Sequence, residues 1–254
     1  VPHTPPPDDE TTLDTMFRGR ITLRQSRRGY RFGIDSVLLA AHAARHRPER
    51  FVDIGAGCGI VSLALDALLG GTPTGVAVEI QPSLFTLLRE NIDRNGASDR
   101  IHALHADARD AARALGSTPA DVVVMNPPYF EPGHGHLNPG SERARARHQL
   151  DGSLAELLRA ARRCAGPLGS VEFVYPAQRL AAVCAILLDL GLRSLTVRLV
   201  HPTADRPAEL VLVSARPSRR DAVVTLPPLV IRASPEVYTD EVHTLLGGQL
   251  CPTP

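Results

Sequence analysis

Short apolar runs alternate along the chain with longer segments whose apolar residues recur every three to four positions. Phe51–Ile54, Gly75–Glu79, Ile101–His105 and Asp121–Met125 are runs of the first kind, each bounded by Gly, Pro, Asn or acidic residues. Their length and flanks predict buried strands. Between them, helices are predicted over Ile60–Leu69 and from Pro82 to Asn95. Pro82 sits in the favoured first turn and Asn95-Gly96 suits a left-handed end. Further on, Leu154–Cys164 and Leu180–Leu190 read as helices and Ser170–Tyr175 as a strand. Leu195–Val200 and Leu210–Ala215 are strands joined too closely for a helical crossover, which predicts an antiparallel hairpin. Ahead of these elements, Ile21–Gln25 reads as a strand, Arg27-Arg28-Gly29 as a turn, and Ser36–Ala44 as a helix capped by Asp35 or Ser36.

The strands and helices alternate up to the final hairpin. That order describes an α/β fold, a doubly wound and mostly parallel sheet, with no internal repeat and no second domain. Residues 1–16 carry four prolines and four acids, and read as a disordered tail. Residues 17–247 form a single domain, with a basic segment over 17–47 and the core over 48–247; residues 248–254 are a second tail. Glu131–Gln149 has no period and is expected to be a functional or disordered loop. From Ser218 the chain is extended and Pro-rich, with a last helix near Tyr238–Leu246.

Composition changes this picture little. The 254 residues are 43% hydrophobic, enough for one large globular domain. The net charge of +1 conceals segregation: residues 18–47 hold eight arginines against one acid, Asp35. Every basic residue is arginine, which base composition explains most simply. The basic segment reads equally as a phosphate-binding surface or a solvated face. The four cysteines, Cys58, Cys164, Cys184 and Cys251, form no CxxC pair. That argues against a metal site or a disulfide framework and fits a reducing cytoplasm. No apolar run reaches transmembrane length, so no membrane partner is expected. The pattern fixes no oligomeric state, with a monomer favoured.

The chemistry concentrates at strand ends. Asp53-x-Gly55-x-Gly57-x-Gly59 lies between a strand and a helix, where glycines let a ligand approach the backbone. The GxGxG spacing differs from the GxGxxG of pyrophosphate-binding turns. A carboxylate two residues before the first glycine repels a pyrophosphate but suits a cationic ligand with an amino-acid head, such as S-adenosylmethionine. Glu79 ends the next strand, where an acid accepts ribose hydroxyls, with Ile80 beside it. Asp107, followed by Ala108, follows the third strand and is placed to accept from an adenine amino group. Each acid alone reads more simply as a helix cap or a solvated residue; three at successive strand ends do not.

Asn126-Pro127-Pro128-Tyr129 closes the fourth strand. An exocyclic or amide NH2 is a poor nucleophile because its lone pair is delocalised. The Asn126 side-chain oxygen and the Pro127 carbonyl can hold its two hydrogens and turn the lone pair toward a methyl donor. The prolines stiffen the loop, so the contribution is positioning. Tyr129 offers a ring for an extruded planar base, and Phe130 extends that surface. The competing reading, a simple Asn-Pro turn with a core tyrosine, loses its force at this place in the fold.

With both motifs in hand, the chain resembles class I S-adenosylmethionine-dependent amino-methyltransferases, which carry an Asn-Pro-Pro-Tyr loop on a Rossmann-like, mostly parallel seven-stranded sheet with a C-terminal antiparallel hairpin. The flanks narrow the likeness. Gln25 to Ala40, with its Tyr30-Arg31-Phe32-Gly33-Ile34-Asp35-Ser36, looks like the tRNA1(Val) (adenine(37)-N6)-methyltransferase family. So do Asn126 to Phe130, Ala146-Arg147-His148 and Pro207 to Val213. The resemblance spans about Phe17 to Gly247. It implies S-adenosylmethionine as cofactor, tRNA as partner and an adenine N6 as acceptor, with Phe32, Gly33 and Asp35 over the methionine part of the cofactor. Arg24, Arg27, Arg28, Arg31, Arg143, Arg145 and Arg147 are expected to contact phosphates. The rivals are a release-factor glutamine methylase, which usually carries a helical domain before the glycine loop, a DNA adenine methylase, which needs a target-recognition region, a non-catalytic RNA-binding or cofactor-sensing module, and a dehydrogenase.

Overall fold

The computed structural model describes residues 11–27, 32–116, 119–127 and 154–247. The core is an α/β sandwich. β3 (Arg50–Ile54), β4 (Thr74–Glu79), β5 (Ile101–His105), β6 (Ala120–Met125) and β7 (Ala165–Pro176) run parallel. β8 (Ser194–His201) and β9 (Leu210–Arg216) form the expected hairpin, with β9 inserted antiparallel between β7 and β8. The seven strands stand in the order β5-β4-β3-β6-β7-β9-β8. Two short strands, β10 (Ala222–Thr225) and β11 (Leu229–Val230), extend the sheet along the outer edge of β8, in the segment expected to be merely extended.

Helices cover both faces, which is why the central strands are continuous apolar runs. Phe51, Val122 and Val124 face α1 (Ile34–Ala44), α2 (Ile60–Leu68) and α3 (Pro82–Arg94). Val52, Ile54, Val123 and Met125 face α4 (Ala108–Leu115), the helix over 154–164 (α5) and α6 (Leu180–Asp189). Gly75 is held as glycine by packing: a Cβ there would lie 2.2 Å from the Phe51 ring. A small β12–β13 ribbon (Arg232–Ser234, Val237–Tyr238) and α7 (Asp240–Leu245), capped by Thr239, complete the described chain. Among the described residues, no helix is long and apolar enough to cross a membrane.

Three expectations are corrected. Thr11–Met16, assigned to a disordered tail, is strand β1, paired antiparallel with β2 (Ile21–Ser26) from Thr11↔Ser26 to Met16↔Ile21. Its cohesion is polar, which the apolar pattern does not report: Gln25 donates to Asp14 at 2.6 Å and Arg24 to the Thr11 hydroxyl at 2.9 Å. Helix α1 starts at Ile34, with Gly33 rather than Asp35 or Ser36 at its N-cap. β7 begins at Ala165, five residues before the expected Ser170, through a bulged pairing with β6.

Candidate active site

Register decides where the chemistry sits. Ile54 pairs with Met125, so Gly55 and Asn126 leave neighbouring parallel strands at the same level. β3 passes to β4 on one side while β6 lies on the other. This is the point where the strand order reverses, and the carboxyl-end crevice of an open α/β sheet opens there.

The glycine loop is a turn that few other residues permit. Gly55, Gly57 and Gly59 have φ of 71°, 59° and 95°. At Gly55 and Gly57 a Cβ would point into open space, the space a ligand lying on the loop would fill. Asp53 beneath the loop is buried and accepts from Ser62 Oγ at 2.7 Å. Burial pushes its carboxyl up to about 7, against the pull of Ser62. A buried carboxyl in that state gains most from a cation. Glu79 is also buried; its Oε2 accepts from the Gly57 N–H at 2.9 Å and its Oε1 from the Gln81 N–H at 2.7 Å. The acid expected at a ribose therefore also braces the glycine turn. Ile80 beside it is 56% exposed, an apolar surface at the crevice rim. These features fit S-adenosylmethionine: an open glycine cradle, a buried carboxyl suited to a cation, an acid at the end of the neighbouring strand and an exposed apolar side chain next to it.

Asp107 follows the reading that had competed with adenine contact. It caps α4, accepting from the Arg109 N–H, and its carboxylate pairs with the Arg109 guanidinium at 2.6 and 2.9 Å. That hydrogen bonding holds its carboxyl below the usual range. Ala108 opens the same helix. The Cys58 thiol is pushed up to about 12 by burial, which removes it as a nucleophile.

Asn126 is held from the far side of the crevice. Its Nδ2 donates to Asp35 Oδ2 at 3.0 Å and to Ser36 Oγ at 3.1 Å. Asp35 and Ser36 are 6% and 2% exposed. Gly33 makes room for them, since a Cβ there would lie 2.7 Å from Asp35 Oδ1. Phe32 is half-buried against the core cluster below. The other end of α1 is tied down by a buried cluster. His42 Nε2 lies 3.0 Å from Ser214 Oγ, Ser214 donates to Glu172, and His46 Nε2 lies 3.1 Å from Glu172. Burial pushes the Glu172 carboxyl up, but hydrogen bonding from His46 and the proximity of His42 outweigh it, leaving the group below its ordinary value. Burial takes the His42 imidazole down to about 4.

Sequence reasoning missed Ser36, Ser62 and the side-chain roles of Asn91 in α3 and of Asn95 at its C-cap. Asn91, fully buried, accepts from the Arg24 N–H at 2.7 Å and donates to the carbonyls of Arg24 and Cys58, both at 2.8 Å. Asn95 repeats the pattern one turn later with the Thr22 N–H and carbonyl. Together they dock the edge of the β1–β2 hairpin on α3, and Asn91 alone adds the glycine loop. Asn91 inside the helix was the available signal, since asparagine gains little there unless its side chain is used. Arg24, expected to contact a phosphate, is largely covered and pairs with Glu90 at 3.1 Å. Arg27 donates to the Thr11 carbonyl at 2.9 Å. Pro127 lies within the described residues; Pro128, Tyr129, Phe130, Arg28, Arg31, Arg143, Arg145 and Arg147 lie outside them.

Comparison with known proteins places the chain among methyltransferases. Residues 39–146 match the model of the TRM5/TYW2 methyltransferase domain. The chain is 32% identical over 181 residues to a tRNA1(Val) (adenine(37)-N6)-methyltransferase of Aeromonas salmonicida, covering 71% of this chain and 74% of that one. Among solved structures, a predicted O-methyltransferase from Agrobacterium tumefaciens superposes with a TM-score of 0.65 at 25% identity, covering 84% of this chain and 96% of its own. TYW2 of M. jannaschii, in complex with AdoMet, has a TM-score of 0.54 at 16% identity, over 85% and 87% of the two chains, a likeness of fold.

Proposed function

The chain belongs to the tRNA1(Val) (adenine(37)-N6)-methyltransferase family, and from that premise we propose that it methylates the N6 amino group of an adenine in tRNA, position 37 of a valine tRNA. The observation that carries the reading is the placement of Asn126. It leaves β6 level with the glycine loop, with its amide nitrogen bound to Asp35 and Ser36. The amide oxygen is thereby directed away from those residues.

Bound S-adenosylmethionine supplies the methyl group on a sulfonium. The glycine loop and Glu79 hold the nucleoside portion, and Asp53 offers a buried negative charge to the amino-acid portion. Asn126 Oδ1 and the Pro127 carbonyl accept the two hydrogens of the adenine amine. That pulls the nitrogen from planarity and turns its lone pair toward the methyl carbon. The carbon–nitrogen bond would form as the carbon–sulfur bond breaks, leaving a neutral thioether; the cationic nitrogen would then release its extra proton to water, and the residues contribute orientation rather than acid–base chemistry. An adenine within a loop must leave its stack to reach this crevice, and Tyr129 and Phe130 offer rings to receive it.

Asn126→Ala removes the acceptor while sparing the cofactor end. The expected outcome is loss of turnover by at least about a hundredfold, with cofactor affinity within about twofold by calorimetry. Full turnover in this variant overturns the acceptor role.

A further inference from the structure

A primary amide has two faces of opposite meaning. An asparagine that presents Oδ1 accepts from an amine, and one that presents Nδ2 donates to a carbonyl. The two orientations differ only by a half-turn of the side chain, so the surroundings decide between them. At Asn126 the surroundings of the amide nitrogen include Asp35 Oδ2, at 3.0 Å, and Ser36 Oγ, at 3.1 Å, on two buried residues. A half-turn would set the amide oxygen against the Asp35 carboxylate. It would also break a hydrogen bond strengthened by that charge.

Asp35 is itself fixed. Its Oδ1 accepts from the Ser36 N–H at 2.9 Å, and its position requires the missing Cβ of Gly33. Both residues lie in the first turn of α1, whose last turn carries His42, in contact with Ser214 of β9. We propose that Asp35 and Ser36 are positioning residues that set the orientation of the Asn126 amide, and through it make the site select a 6-amino purine over a 6-oxo purine. This rests on reading Asn126 as the acceptor of the substrate amine. Asp35 thereby gains a role toward the acceptor base, beyond the cofactor contact expected from the family resemblance. Aspartate is the right residue for it because a carboxylate only accepts, whereas an asparagine at 35 can offer either group and so allow the half-turn; the Ser36 hydroxyl, which can also offer either, holds the amide in place beside Asp35 and leaves the sense to the carboxylate.

The test is a pair of affinities. Anticodon stem-loop RNA carrying adenosine or inosine at the target position is titrated onto the protein saturated with S-adenosylhomocysteine. Wild type is expected to prefer adenosine by at least about tenfold, because the inosine carbonyl meets an acceptor. Asp35→Asn is expected to lower that ratio severalfold and Ser36→Ala to lower it less, and the double variant to bring it near one. A general loosening of the fold lowers both affinities together and leaves the ratio alone. An unchanged ratio in both single variants overturns the proposal. The Asn126→Ala variant separates the premise from the inference. Discrimination that survives its removal, or is absent from wild type, refutes the acceptor reading itself. Discrimination lost in Asn126→Ala but kept in the Asp35 and Ser36 variants refutes only the positioning role.

Discussion

Asn91→Ala tests how the hairpin and the cofactor loop are joined. The side chain makes three buried hydrogen bonds, to the Arg24 N–H, the Arg24 carbonyl and the Cys58 carbonyl. Truncation strands three backbone groups. At about 1 kcal/mol net for each bond, the loss is about 3 kcal/mol, and more if water does not reach them. For a domain of this size that lowers the melting temperature by roughly 6–12 °C. Asn95→Ala is the matched control. It loses bonds to the Thr22 N–H, the Thr22 carbonyl and the Asn91 carbonyl, but none to the glycine loop. The two variants should therefore melt alike, by circular dichroism or urea titration, while only Asn91→Ala weakens S-adenosylmethionine binding, by about five- to tenfold if one such bond orders the loop. Equal cofactor affinity in the two variants, or a melting shift below about 2 °C for Asn91→Ala, refutes the reasoning.

Asp53 gives a pH prediction. Its folded carboxyl, at about 7, lies above the ordinary 3.8. Between those values the folded, cofactor-free protein keeps a proton that the unfolded chain has released, so this group's contribution to stability falls as pH rises through the window. His42, at about 4, works in the opposite sense below 6.5, so the measurement is the difference between wild type and Asp53→Asn. Cofactor affinity should weaken toward about tenfold per unit as pH falls below 7 in wild type, and stay flat in Asp53→Asn; parallel profiles refute it. Gly33→Ala sets a methyl against Asp35 Oδ1 at 2.7 Å, so turnover should fall by at least about tenfold with little change in melting temperature; wild-type turnover counts against the Asp35 geometry. Neutralising Arg27 and Arg28 together should weaken tRNA binding and reduce its logarithmic salt slope by about 1 to 2. An unchanged slope assigns Arg27 to holding the Thr11 carbonyl alone.

The central strands were legible because helices cover both faces and leave few polar positions: Val122 to Met125 reads as one apolar run for that reason. β1 was not legible, because its partners are polar side chains and a backbone ladder, and its Leu13 is 57% exposed. The start of β7 hid in Gly166-Pro167-Leu168-Gly169, which reads as a turn. The ladder skips these four residues as a bulge, Ala165 pairing with Ala120 and Ser170 with Val122, and a Cβ on Gly169 would lie 2.7 Å from the Ala120 carbonyl. Asp53, Glu79 and Asn126 stood out because a parallel sheet brings its strand ends to one edge. The grip of Asp35 and Ser36 on Asn126 joins residues about ninety apart. Only the packed fold reveals it, as it reveals why a buried asparagine sits inside α3.

The most direct measurement is methyl transfer from labelled S-adenosylmethionine to bulk tRNA from a strain lacking this gene, followed by nucleoside analysis. The account predicts N6-methyladenosine in tRNA with the wild-type protein and none with Asn126→Ala. Label appearing instead on a release factor or on DNA, or no transfer from a protein that binds the cofactor, would contradict it.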